Sequence, residues 1–166
     1  MLRIASMLFA AVLAAVGWFI VTTTRELPST VATHFGPGFL ANGWMARDDY
    51  VVFSLTFSIL VPLVVAGIVG WIPRLFPKLV NVPNRDYWLA PERRAATLES
   101  LALSGIALGA LLSTFMGGVH WLILKANAVV PPRLPANAFW TLMVAFLVLL
   151  TVWIGALWTR FRNVAN

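Results

Sequence analysis

Polar positions are sparse along this chain and gather between four apolar blocks, residues 4–23, 51–72, 98–124 and 138–158. Each block is close to the ~20 residues that cross a hydrocarbon core about 30 Å thick. None carries a charge away from its ends. The pattern predicts an all-α fold, a four-helix transmembrane bundle forming a single integral membrane domain over residues 1–166. Residues 1–17 have the short basic start and small residues of a secretory leader. The apolar run continues through Trp18, Phe19, Ile20 and Val21, longer than a leader's core, so the expectation is an uncleaved first helix.

Composition strengthens this picture. The chain is 60% hydrophobic and 11% charged, against roughly a quarter charged in a soluble domain. The formal charge of +6 does not point to nucleic acid, because the cations lie beside span ends rather than on one solvated face. Their asymmetry sets an orientation. With the N-terminus inside, Arg3, Arg74, Lys78, Arg85, Arg93, Arg94, Arg160 and Arg162 fall on the cytoplasmic side, and Arg25, Arg47, Lys125 and Arg133 on the outer side. Positive charge is retained in the cytoplasm, so both termini are expected inside. Residues 24–50 then form a structured outer loop, 73–97 an inner loop and 125–137 a second outer loop.

Two spans carry packing signals. Gly105, Gly109, Ser113 and Gly117 recur every four residues in the third, a small-residue ridge that permits close helix approach. Packing within the bundle is the plain expectation for it, and contact with a second copy or partner the sharper one. Pro62 lies mid-span in the second and cannot donate to the Ser58 carbonyl, so a kink is expected. Ser54, Thr56 and Ser58 are placed to rebond freed backbone groups.

Candidate chemistry is thin. With cysteine absent, there is no disulfide framework and no thiolate. No ionisable group lies deep in a predicted span, which argues against a proton-coupled carrier. Glu99, the nearest, is expected to snorkel or to pair with Arg93 or Arg94. His34 and His120 map to the outer half with Glu26, Asp48 and Asp49, but no HxxxH, HxH or HExxH spacing prepares a metal site. No nucleophile elbow, phosphate loop or dinucleotide fingerprint occurs, and no cofactor is expected. In the inner loop Pro91 is placed to open a helix, with Glu92 beside its positive end. Asn84, Arg85, Asp86, Tyr87 and Trp88 combine charge with interfacial aromatics, as expected of a segment resting on anionic headgroups or meeting a cytoplasmic partner.

The first outer loop is the most patterned stretch. "LPSTVATHFGPGFLANGW" has Pro28 to stiffen the chain's exit from the first span and Gly36-Pro37-Gly38 to reverse it. Its order "LP…VATHFG…G…ANGWMARDDY", with the inner "NVPNRDYWLAPERR", resembles a bacterial membrane domain family of unknown function. That domain also forms the N-terminal module of immunity proteins for the sporulation-delaying toxin. The resemblance implies a multi-pass protein of the bacterial inner membrane, with no established reaction. It also implies a role in toxin immunity or envelope signalling. With 166 residues leaving no room for a soluble domain beside four spans, the expectation is a sensor or accessory subunit that acts by contact with another membrane protein or a second copy. The second membrane module of the full immunity proteins is not present in this sequence. His34, Phe35, Asn42 and Trp44 are the candidate outer recognition residues. A small channel or carrier is the alternative reading, and a metal-dependent membrane enzyme using His34 and His120 a further one.

Overall fold

The computed structural model describes residues 1–164. Four of its helical stretches are long and apolar enough to cross a membrane: Leu2–Glu26, Arg47–Leu75, Pro91–Asn127 and Ala136–Arg162. This is a mostly helical, multi-pass membrane protein. Its elements are α1 (Leu2–Thr23), β1 (Thr30–Phe35), β2 (Ala41–Ala46), α2 (Arg47–Leu55), α3 (Val61–Gly70), α4 (Ile72–Leu75), α5 (Arg85–Trp88), α6 (Pro91–Asn127) and α7 (Ala136–Arg162).

The spans run alternately up and down, and α6 is the helix the others share. Phe9 and Val16 of α1 meet Gly109 and Gly117 of α6 in parallel order. Pro62, Ala66 and Gly70 of α3 meet Gly109, Gly105 and Ala102 in antiparallel order. On its other side α6 takes α7, with Leu142 over Gly118, the Phe115 and Phe146 rings stacked 4.1 Å apart, and Trp153 Nε1–H donating to the Ser104 carbonyl at 3.0 Å.

The small-residue ridge is what lets α1 and α3 come this close. Gly105, Gly109, Ser113 and Gly117 are all buried. A β-carbon on Gly105 would stand 2.7 Å from the Ala66 carbonyl oxygen, and one on Gly109 would stand 2.8 Å from Phe9 Cζ and 2.9 Å from the Pro62 oxygen. With no hydrophobic drive between helices in lipid, such close packing is what holds spans together. The ridge is seated within the chain.

The second span does not simply kink. Thr56–Leu60 is a π-turn between α2 and α3, with Val61 N–H bonded to the Thr56 carbonyl. Pro62 has no N–H, and a wider turn accommodates that missing donor within a continuous helix. The expected rebonding by Ser54, Thr56 and Ser58 is not found among the described residues. Ser54 and Ser58 are buried and line a cavity instead.

The stretch read as a turn-stabilised loop is a hairpin. β1 and β2 pair antiparallel, with register shifts at His34 and Phe35, and the tip reverses through Gly38 (φ +79°) and Phe39 (φ +64°). At the same end of the bundle, residues 128–135 join it. Ala41 N–H donates to the Pro132 carbonyl at 3.1 Å and Leu134 N–H to the Phe39 carbonyl at 2.9 Å. The two connections therefore form one cap.

Candidate functional site

The cap is held onto the bundle by its own core and by one side chain. Leu27, Val31, Tyr50 and Ile123 are buried together, with Phe35, Met45 and Leu124 against them. The Asn127 amide then pairs with both backbone groups of Ala32. Its Oδ1 accepts from Ala32 N–H at 2.9 Å and its Nδ2 donates to the Ala32 carbonyl at 3.0 Å. Arg47 completes the base, with Nη1 donating to the Leu27 carbonyl at 3.1 Å.

Along β2 the side chains alternate, as a strand with one covered face requires. Asn42, Trp44 and Ala46 are exposed, and Ala41, Gly43 and Met45 face inward. His34 is on the exposed face too, and its Nδ1–H donates to Asn42 Oδ1. Glycine gives this pair its room: the Gly43 contact is with a β-carbon that cannot swing away, and the Gly36 contact is with the amide end of Asn42, which a larger residue would displace. A β-carbon on Gly43 would lie 2.9 Å from His34 Cβ, and one on Gly36 would lie 2.7 Å from Asn42 Nδ2. Of the four predicted outer residues, His34 and Asn42 are bonded to each other and Trp44 shares their face, 54% exposed. Phe35 turns under and packs on the cap's core.

His120 is the residue whose setting the sequence did not reveal. It is 1% exposed and lies two turns inside the end of α6, so an ionisable side chain is buried within a span after all. It lies deeper than its apolar run predicts because the helix continues to Asn127 beneath the cap. Its ring is bonded on both sides. Thr23 Oγ1 is 2.8 Å from Nε2 and Tyr50 Oη is 2.8 Å from Nδ1. Thr23 already donates its only hydroxyl proton to the Phe19 carbonyl at 2.6 Å. It must therefore accept from Nε2–H, which leaves Nδ1 to accept from the tyrosine hydroxyl. The bonds run in one direction, Tyr50 to His120 to Thr23 to Phe19, and tie α2, α6 and α1 at one point. Phe19 meets the imidazole edge-on at 5.2 Å and Tyr50 stacks on it at 5.7 Å.

The two histidines take different surroundings, one exposed on the hairpin and one buried in the bundle. Among the described residues no group of three or more His, Cys, Asp and Glu side chains could hold a metal ion. Glu99 is exposed and unpaired among the described residues. Its expected partner Arg93 instead donates from Nε to the Tyr87 carbonyl at 2.9 Å, its guanidinium 3.8 Å from the centre of the Tyr87 ring.

At the opposite end, the segment 84–88 divides into two kinds of residue. Asn84, in the left-handed conformation at φ +54°, donates Nδ2–H to the Arg162 carbonyl at 2.9 Å. Trp88 Nε1–H donates to the Phe161 carbonyl at 2.8 Å. Those carbonyls are the unpaired last acceptors of α7, so both side chains close a helix end. Arg85 and Asp86 form an exposed ion pair at 3.0 Å, and Tyr87 is half-buried under Arg93. As expected, α6 opens at Pro91 with Glu92 in its first turn.

Neither a family model nor a solved structure matches this chain. It is similar to an uncharacterized protein of Archaeoglobus fulgidus, 28% identical over 101 residues that cover 52% of this chain and 55% of that protein. The chain thus spans about half the length of the curated relative it matches.

Proposed function

We infer that this is a non-enzymatic membrane protein that recognises a partner through its hairpin cap, as an envelope sensor, an immunity-type factor or an accessory subunit. One observation carries the reading: His34, Asn42 and Trp44 lie on one exposed face of a hairpin whose other face is fastened to the spans. A pre-ordered surface loses little conformational freedom on binding, and tryptophan is the residue type most often at the centre of such contacts. The bias of cations toward the α5 end supports an orientation with both termini in the cytoplasm and the cap outside, in a bacterial inner membrane. Arg85 and Asp86 are left to meet headgroups or a cytoplasmic partner.

The chain has no cysteine, so single introduced cysteines report each side separately. Thr30→Cys is expected to react with a membrane-impermeant maleimide on intact cells, and Arg94→Cys only after permeabilisation; the reverse pattern would sink the orientation. A photo-crosslinking residue at position 44, followed by mass spectrometry from mild detergent, is expected to capture one membrane protein in stoichiometric amount. Capture should be lost with His34→Ala. If the crosslinks go only to lipid, the cap is not a recognition surface.

A small carrier or channel is the second reading, favoured by the buried imidazole beside a π-turn. Ion flux in proteoliposomes above that of empty vesicles would move the assignment there.

A further inference from the structure

Three features of the hairpin half of the bundle meet at one cavity. Ser54 and Ser58 stand one helical turn apart on the second span and are 6% and 1% exposed. Both line a cavity of about 80 Å³ that Tyr50 and His120 also line. The π-turn Thr56–Leu60 runs along the same wall. We propose that this cavity is a binding site for ordered water, held by Ser54, Ser58 and the Tyr50 hydroxyl inside the membrane-spanning part of the protein.

Size selects the ligand class. The space is well above the roughly 10–15 Å³ that one water requires, and far below the ~300 Å³ at which sites for drug-sized ligands begin. Polarity selects it again, because a water needs two to four polar partners. At the end of α1, Thr22, Thr23 and the following Thr24 each donate to a carbonyl one turn back. Ser54 and Ser58 make no such bond among the described residues. The carbonyl of Ser58 has lost its α-helical donor to Pro62. Tyr50 gives its proton to His120, so its oxygen is left to accept, and the Ser54 hydroxyl stands beside it to donate there or to share a water with it. Every group facing the cavity is uncharged or already paired, which suits water and gives an ion no counter-charge. Phe53 and Phe57, their rings 4.5 Å apart and both exposed at the protein surface, also line the cavity.

Bound water extends the one-way chain by one member, from water through Tyr50, His120 and Thr23 to the Phe19 carbonyl. That chain ends on the Phe19 carbonyl, and in this arrangement its work is to join three helices through a hydrated contact.

Water-edited solid-state NMR on the full, serine-labelled chain in lipid bilayers tests this directly. Ser113 supplies the dry reference, because its Oγ is buried with no hydrogen-bond partner among the described residues and it lines no part of this cavity. Signals of Ser54 and Ser58 are expected to receive magnetisation from water several-fold faster than Ser113. Ser58→Val, which narrows the cavity and replaces a hydroxyl with methyls, should slow the transfer to Ser54 toward the Ser113 rate, whereas Ser58→Ala, which enlarges it, should not. An unshifted Ser113 signal in each variant certifies that the bundle is intact. Transfer no faster than to Ser113 in the wild-type protein would overturn the proposal, as would transfer from lipid protons in place of water.

Discussion

Asn127 and Ala32 are bonded as two residues of a sheet would be, except that one of them offers a side chain. Both hydrogen-bonding groups of the amide are matched to both backbone groups of a fully buried residue. A third bond, from Nδ2 to the Ile123 carbonyl at 2.9 Å, fixes the amide on α6. The hairpin's hydrogen-bonded docking onto α6 consequently rests on this one side chain, beside the apolar cluster beneath the cap.

Replacing Asn127 with Ala strands the N–H and C=O of Ala32 out of water, at ~1–3 kcal/mol for each unpaired group. The expected outcome is a cap that lifts while the spans persist. Hydrogen exchange in detergent micelles should show faster exchange across residues 30–46, with α3 and the middle of α6 unchanged. A uniform rise over the whole chain would contradict this division.

The buried imidazole makes a prediction about coupling. His120→Phe keeps a ring but leaves the Tyr50 hydroxyl proton without its acceptor and takes from Thr23 Oγ1 the bond it accepts, and should cost about 2 kcal/mol. Tyr50→Phe removes one partner and should cost about 1 kcal/mol. Because the two share one hydrogen bond, the double variant is expected to be less destabilised than the sum by at least ~0.5 kcal/mol. Unfolding titrations of the three variants in mixed micelles check it, and strict additivity would mean the bond carries no energy.

The glycines separate into those that matter and those that do not. Gly105→Ala and Gly109→Ala press a methyl onto backbone or ring atoms within 3 Å, and overpacking of that kind costs about 1–3 kcal/mol. Gly67→Ala and Gly155→Ala meet nothing within 4 Å and should leave the melting temperature unchanged or slightly raised, since alanine favours the helix. Thermal scans of the four variants in one detergent would expose any departure from this order.

At the α5 end, Trp88→Phe removes the donor to the Phe161 carbonyl while keeping an aromatic against the Phe161 ring, 5.6 Å away. A loss of about 1 kcal/mol is expected, with α7's last turn exchanging faster. An unaltered exchange pattern would mean that Asn84 alone closes the helix.

The spans were legible in the sequence because apolar length is a direct consequence of bilayer thickness, and the start of α6 because Pro91 and Glu92 mark a helix's first turn. The hairpin was not. Its alternation is written largely in residues without polarity contrast, Ala32, Ala41, Gly43 and Ala46, so the period of two is invisible until the face is covered. His34 and Asn42 could be singled out as chemistry-bearing, but their bond depends on a register shift that no spacing announces. His120 was seen and misplaced. Its depth is set by the cap above it, a long-range effect, and not by the hydrophobic run in which it sits. The π-turn was visible only as its cause, Pro62.

The length of α6 has a mechanical consequence. At 1.5 Å per residue its 37 residues measure roughly 55 Å, well beyond a 30 Å hydrocarbon core. Near one tip Asn127 grips the hairpin, and near the other Thr97 donates to the Trp88 carbonyl at 2.8 Å, next to the segment that closes α7. The two ends of the molecule thus hang from one rod clamped along its middle by the glycine ridge. A tilt of α6 as a rigid rod about that clamp would carry the hairpin and the α5 segment in opposite directions.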